Sequence, residues 1–464
     1  MQEHLQQAYA AWRAGASLRS RRERYKNYTY GRQWLDPVDT VGGQPITEGD
    51  AARRNGARPT TNNMIRQLVK CVTGNFRNRL QQEERRADSA GSDIRQRNKL
   101  DELDSRMLEE YLISGCAIQR VADEQRLAGG GTWVDNVSPD RFFVNRFTDP
   151  RGLDIELVGM LHDYSLRETL MRFGRGDTRR ENRLVALYDR IERETTGSGT
   201  GDECRARFFN GVRGRCRVIE VWTLESRSVV KCHDPLTGIL FLTPRSEQAR
   251  ISALNRRRRA AGLAELDASA RVTARWHCRF LAPDGTVIDE YDSPYRHGLH
   301  PFAVKFYPLT DGEVHSFVED IIDQQRHVNR LITLIDHIMS TSAKGVLLFP
   351  TDRKPADKSW EEIAEMWASP NGVIPIEPSG RSGEPHQVTA GTEPSGAYHL
   401  LSLQMQLFQQ ISGVSEALQG RLESGNASAA LYETQVRNSA VAILDLIESF
   451  NEFRRQRDYL VNHC

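Results

Sequence analysis

The stretch VEDIIDQQRHVNRLITLIDHIMSTSAKGVLLFP, residues 318 to 350, constrains the fold more than any other. It predicts one long helix that runs into a short strand. Ile321, Val328, Ile332, Ile335 and Met339 recur at helical spacing and form an apolar stripe, while Gln324, Gln325, Arg326, His327 and Asn329 crowd the N-terminal half. About thirty helical residues reach ~45 Å at 1.5 Å per residue. A single globule has little use for such a rod. A ring or bundle does, because the stripe of one copy can pack against its neighbour. The competing reading is a plain core helix, and the stripe alone leaves both open.

At 464 residues the chain allows two to four domains at ~150 residues each. With 39% apolar and 27% charged residues it can build a core and still carry much solvated surface. No run approaches the ~18 apolar residues of a membrane span. The opening MQEHLQQAYAAWRAG reads as an amphipathic helix, not a leader. No membrane partner is expected, and synthesis is expected in a cytoplasm. Seven scattered cysteines, an odd number, predict reduced thiols. Cys232-His233 and His277-Cys278 lack the CxxC or HxxxH partners of a zinc site, so core cysteines on strands are preferred and no metal is predicted. The glycosylation patterns at Asn27, Asn136 and Asn426 have no meaning in a cytoplasm.

The charge balance excludes more. Against 62 acids stand 63 basic residues, only eight of them Lys, for a net charge of +1. A DNA-binding domain carries a basic excess because neutralised phosphates supply most of its affinity. Any contact with DNA should therefore be loose.

Along the chain, residues 1 to 35 predict helices ending in YKNYTYGRQW, with Tyr25, Tyr28, Tyr30 and Trp34 clustered before an Asp36-Pro37 turn. Residues 38 to 58 read as a loop. TTNNMIRQLVKCVTGNFRNRL opens with capping residues and continues as a helix on Ile65, Leu68, Val69, Val72 and Phe76. A third helix is expected over 92 to 122, with Leu100, Leu103, Met107, Leu108, Leu112 and Ile113 inward. After Gly129-Gly130-Gly131 the period shortens to strand-and-turn chemistry, and 164 to 194 return to helix. RVIEVWT, 217 to 223, is a strand, VVKCHD extends the sheet, and Asp284-Gly285 turns a hairpin. Residues 351 to 394 are rich in Pro and Gly, with a short helix at 360 to 367 and a strand at GVIPIE. The remainder, 395 to 464, reads as almost wholly helical, and there is no internal repeat. The expected class is α+β, predominantly helical.

No catalytic residue emerges. GSGTGDE, 197 to 203, lacks the Lys-Ser/Thr pair of a phosphate loop, and no nucleophile or zinc-protease motif appears. No carboxylate pair stands in an apolar setting that would raise a pKa for acid catalysis. The arginine run at 256 to 259 reads as a solvated face. No cofactor is predicted.

The order of elements resembles the portal proteins of tailed phages, in particular their podovirus-type branch. YKNYTYGRQW followed by TTNNMIRQLVKCVTGNFR is similar to their N-terminal helices, and NVSPDRFFVNRFTDPRGLDIELVGMLHDYSL to their wing. HPFAVKFYPLTDGEVHSFVEDIIDQQRHVNRLITLIDHIMSTSAKGVLLFP looks like the passage from clip through stem helix back to wing. ISGVSEALQGRLESGNASAALYETQVRNSAVAILDLIESF is similar to the long helix behind the channel wall. The resemblance implies a wing at 1–215, a clip at 216–312, a stem helix at 313–345, a channel-side loop and wing strand at 346–394, and long wing or spine helices at 395–464 with the crown short or absent. It implies a homo-oligomeric ring, generally a dodecamer, at one capsid vertex of the virion, made in the host cytoplasm. The expected partners are the major capsid protein, terminase, head–tail adaptor and tail proteins, and double-stranded DNA passing through. Arg353, Lys354, Lys358 and Arg381 would face DNA. Ile321, Val328, Ile332, Ile335, Met339, Gln325 and Asn329 would pack subunits. Another adaptor or assembly protein, a cellular helical scaffold and a DNA-processing enzyme are the alternatives. The first two do not need the β-rich middle, and the last lacks clustered carboxylates.

Overall fold

A computed structural model describes residues 2–41, 44–54, 56–86, 93–126, 129–197, 203–342, 346–368, 374–377, 384–388, 395–414 and 441–464. They form two compact units. The first comprises Met1–Glu23, Val72–Ser316 and Leu444–Cys464, and the second Arg24–Cys71 and Phe317–Ile443. Helices Ala16–Thr29 and Met64–Arg86 each contribute residues to both. The class is α+β with helix predominating, as expected.

The first unit is built on an antiparallel sheet. Its order is Val287–Asp292, Asp267–Leu281, Cys216–His233, Leu157–Tyr164, Phe142–Val144, with Leu240–Pro244 added on the far half of Cys216–His233. That 18-residue strand has two characters. CRVIEVWT is buried along its whole length, because Leu157–Tyr164 flanks it on one edge and Asp267–Leu281 on the other. Beyond Thr223 burial alternates, and the same strand continues unbroken as an arm through VVKCH, where the sequence predicts a further part of the sheet. There Val230, Cys232, Ile251 and Leu266 form a small core of their own under helix Gln248–Ala260. Gly159 lets two strands approach. A Cβ at that position would lie 2.1 Å from the Glu220 carbonyl and 2.5 Å from the Phe143 ring.

The main core gathers Phe142, Phe173, Trp222, Phe280 and Phe302. Helix Gln2–Ala14 packs Leu5, Ala8 and Trp12, at spacings of three and four, against Phe143, Phe208, Ile219 and Leu281. Helix Leu444–Asn462 returns the chain to this unit. Phe450 meets Phe76 edge-on at 5.5 Å, Ser449 accepts from the Tyr111 hydroxyl at 2.8 Å, and Arg457 is buried on Asp104.

In the second unit Phe317–Ser342 is a 26-residue helix, spanning ~39 Å. Helix Ser395–Ser412 packs along it, with Tyr398 Oη 3.2 Å from Met339 Sδ. Strand Val346–Leu348 pairs with His386–Val388, and Trp360 packs edge-on against Phe349.

Three expectations are corrected. The helix placed over 92 to 122 is Asp93–Asn98, then Leu100–Ser114, then the strand Cys116–Asp123. Gly115, at φ 72°, ends the helix in the left-handed region, its N–H bonded to the Tyr111 carbonyl at 2.8 Å. The strand is buried at seven of eight positions, so it lacks the polar alternation that would have announced it. The loop placed over 38 to 58 holds the hairpin Pro37–Val41 with Gln44–Thr47 and helix Glu48–Arg54. Thr47 caps that helix, accepting from the Asp50 N–H at 3.1 Å and donating to its carboxylate at 2.7 Å. Of GVIPIE, residues 374–377 lie in no strand, since Pro375 has no N–H to give a ladder. The continuation of the C-terminal helical stretch through 415–440 lies outside the described residues.

Candidate functional site

The amide-rich end of the long helix has a specific use. The first N–H groups of any helix lack internal partners, and helix Met64–Arg86 receives them from Phe317–Ser342. Gln325 Oε1 accepts from the Met64 and Ile65 N–H groups at 2.8 and 3.2 Å. Its Nε2 donates to the Asn62 carbonyl at 2.6 Å and to Asn329 Oδ1 at 3.2 Å. Asn329 Oδ1 also accepts from the Asn62 N–H at 3.0 Å, and Thr333 Oγ1 from the Thr60 N–H at 3.2 Å. Of three residues four apart on one helix, Gln325 thus caps another, while Asn329 and Thr333 hold the Thr60–Asn62 segment that leads into it. Asn63 adds a local cap, accepting from the Arg66 N–H at 3.0 Å. Beside this ladder, the buried Glu48 carboxylate accepts from Arg326 at 3.0 Å and pairs with Arg330.

Gln325 and Asn329 were expected at subunit contacts; their hydrogen bonds are made within one chain, and both are buried. The TTNN segment and the Gln-x-x-x-Asn-x-x-x-Thr spacing carried the signal, but only the fold joins them. A Gln325→Leu substitution should cost about 2–4 kcal/mol, because the Met64 and Ile65 N–H groups stay buried without an acceptor. The urea midpoint of the purified protein measures it.

The apolar stripe divides along the helix. Ile321 and Val328 are fully buried and Ile335 nearly so, Ile332 is half-buried, and Met339 is 53% exposed. Of the residues assigned to DNA, Arg353, Lys354 and Lys358 are half-buried in a turn. The Lys354 ammonium donates to the Pro355 carbonyl at 3.3 Å, contacts the Lys358 carbonyl, and lies 5.8 Å from the Trp360 ring centroid. Arg381 lies outside the described residues. In the arginine run, Arg258 donates to Asp234 at 2.7 Å and Arg259 to Glu265 at 2.5 Å.

The two Cys-His pairs do not meet. Cys278 pairs with Trp222 and Cys232 with Ala268 in the same ladder, ten residues apart along one strand, or ~33 Å. Both cysteines are buried, and burial pushes each thiol pKa up. Among the described residues no group of three or more His, Cys, Asp or Glu could hold a metal ion.

One ionic cluster went unnoticed in the sequence. Glu220, in the middle of RVIEVWT, has no exposure. It accepts from Arg120 Nε at 3.0 Å, Trp222 Nε1 at 2.8 Å and His162 Nε2 at 2.7 Å, and the Tyr164 hydroxyl lies 2.7 Å from His162 Nδ1. Burial alone would raise the Glu220 pKa, but the Arg120 charge and the hydrogen bonds outweigh it and hold it at about 2. Burial lowers the His162 pKa despite Glu220, so the ring is neutral, donating to Glu220 and accepting from Tyr164. A carboxylate so committed has no proton to give. The signal was a carboxylate set inside the apolar run Val218 to Trp222.

What the described residues build is scaffold: capped rods, an arm with its own small core, and ion pairs locked inside. The family model for phage P22-like portal proteins matches residues 5–460. The chain therefore belongs to the P22-like portal protein family, and it is a portal protein, a structural component of the phage virion. No curated protein matches it. No helix among the described residues is long and apolar enough to cross a membrane.

Proposed function

We propose that copies of this chain close into a ring, a dodecamer, at one capsid vertex. Terminase pumps double-stranded DNA in through it, and the genome later leaves the same way. The observation that carries this reading is helix Ser395–Ser412, which leaves Tyr398, Leu400, Leu403, Met405 and Ile411 exposed while burying Phe408. Leu400, Leu403 and Ile411 share one face of the helix, and an exposed contiguous apolar patch marks an interaction site. A neighbouring copy covers them. In this reading 1–215 is wing, 216–312 the clip that docks terminase and then the adaptor and tail proteins, 313–345 the stem helix, 346–394 the channel-side segment and 395–464 the spine, with the major capsid protein around the ring. The near-neutral charge suits a conduit, since tight phosphate binding would stall DNA.

Native mass spectrometry of the purified protein, with negative-stain images of the same sample, should show about twelve subunits around a central hole. A protein that stays monomeric both alone and mixed with its capsid partners would overturn the ring. The channel assignment is tested separately. Arg353→Gln with Lys358→Gln leaves Lys354 to hold its own turn, so rings should form normally while packaged DNA per particle falls. Unchanged packaging would remove these residues from the channel.

A further inference from the structure

A small cavity of about 10 Å³ lies within the second unit, lined by Tyr28, Gln33, Trp34, Glu48, Arg326 and Asn329. Two of its walls are amides with unusual hydrogen bonding. Gln33 is 3% exposed, and neither its Nε2 nor its Oε1 has a hydrogen-bond partner among the described residues. Asn329 is 2% exposed, and its Nδ2 has none either, although its Oδ1 accepts from the Asn62 N–H. Buried side-chain amides are nearly always satisfied, so three unpaired atoms around one cavity point to a ligand.

The donor set selects its chemistry. Gln33 Oε1 and the Glu48 carboxylate accept, whereas Gln33 Nε2 and Asn329 Nδ2 donate. A bare cation would serve only the first pair and a halide only the second. Glu48 already has Arg326 and Arg330 on it, so it needs no further positive charge. A water molecule both donates and accepts, and the cavity has the volume of about one.

We propose that this cavity is a specific site for one internal water, which accepts from Asn329 Nδ2 and donates to Gln33 Oε1. It ties the Gln33–Leu35 turn to the same residue of the long helix that holds the segment leading into Met64–Arg86. Buried bridging waters of this kind are part of a fold, not solvent in passing.

The test turns on sign. Gln33→Met keeps the volume and removes the amide. If water satisfies Gln33, the substitution breaks real hydrogen bonds, and the Tm of the full-length protein should fall by about 1–3 °C. If Gln33 is buried dry, removing an unsatisfied amide is a gain and the Tm rises. An unchanged or raised Tm overturns the site. The second arm is a density map of the wild-type protein at better than about 2 Å, which should show a peak within hydrogen-bond reach of both amides. A featureless cavity, with other internal waters resolved, overturns the proposal even if the Tm falls.

Discussion

Glu220→Gln should destabilise the protein by about 3–5 kcal/mol, the cost of leaving one member of a buried pair without its counter-charge. Arg120 is 5% exposed and would keep its charge with only Glu124, 3.4 Å away, to balance it. Urea unfolding measures the loss, and Arg120→Met should cost a similar amount. Carrying both substitutions should cost less than their sum, because no lone charge remains. A strictly additive pair would mean that the two groups are independently solvated. Acid should act on the same centre. Glu220 and Glu124 are both held at about 2, in each case by neighbouring arginines that outweigh burial, against an ordinary value of 4.5. Their stabilisation is present above pH 4.5 and lost as pH falls through about 2. The histidines add to this in the same direction. Burial, with a smaller contribution from His463, lowers His297 to about 4, and burial with His297 lowers His300 to about 3, so below pH 6.5 the unfolded chain takes up protons that the folded chain refuses. Tm should decline continuously from about pH 6.5 downward, and Glu220→Gln should flatten only the part below pH 4.5. A plateau in Tm from pH 6.5 to 4.5 would show that the histidines are not buried as described.

The features legible in the sequence are those that depend on neighbours in the chain. The long helix read within residues 318 to 350 is Phe317–Ser342, because its apolar stripe repeats at helical spacing over many residues, and RVIEVWT lies in the strand Cys216–His233, because its Val, Ile and Trp favour a strand without any alternation. Residues 116 to 123 were missed because burial on both faces erases alternation, so only Gly115 marks the change from helix to strand. The role of Gln325 was missed for a different reason. An amide on a helix gives no sign of whether it will meet a subunit, water or, as here, N–H groups some 260 positions away. The Glu220 cluster likewise joins three segments that only the sheet brings together, with Arg120 100 residues away and His162 58. Chemistry that is local in space and distant in sequence is what a single chain conceals.

Leu400→Asp combined with Leu403→Asp should convert rings into soluble monomers. The two leucines lie three apart on helix Ser395–Ser412, 50% and 44% exposed, and sit on one face. A substitution at such a position leaves the fold within about 0.5 kcal/mol, so circular dichroism of the monomer should match the wild type. In the proposed ring the same positions would be buried. Each loses roughly 1.5–3 kcal/mol of apolar burial and adds the cost of desolvating a carboxylate, and the penalty recurs at every interface around the ring. Met339→Asp should act in the same direction but less strongly, because Met339 Sδ already has Tyr398 of its own chain within 3.2 Å. Native mass spectrometry of the three proteins distinguishes the outcomes. Intact rings from the double variant would place the subunit contact elsewhere and leave this helix facing solvent or another partner. Monomers from the double variant with weakened rings from Met339→Asp would fix the contact along Ser395–Ser412 and the exposed end of Phe317–Ser342.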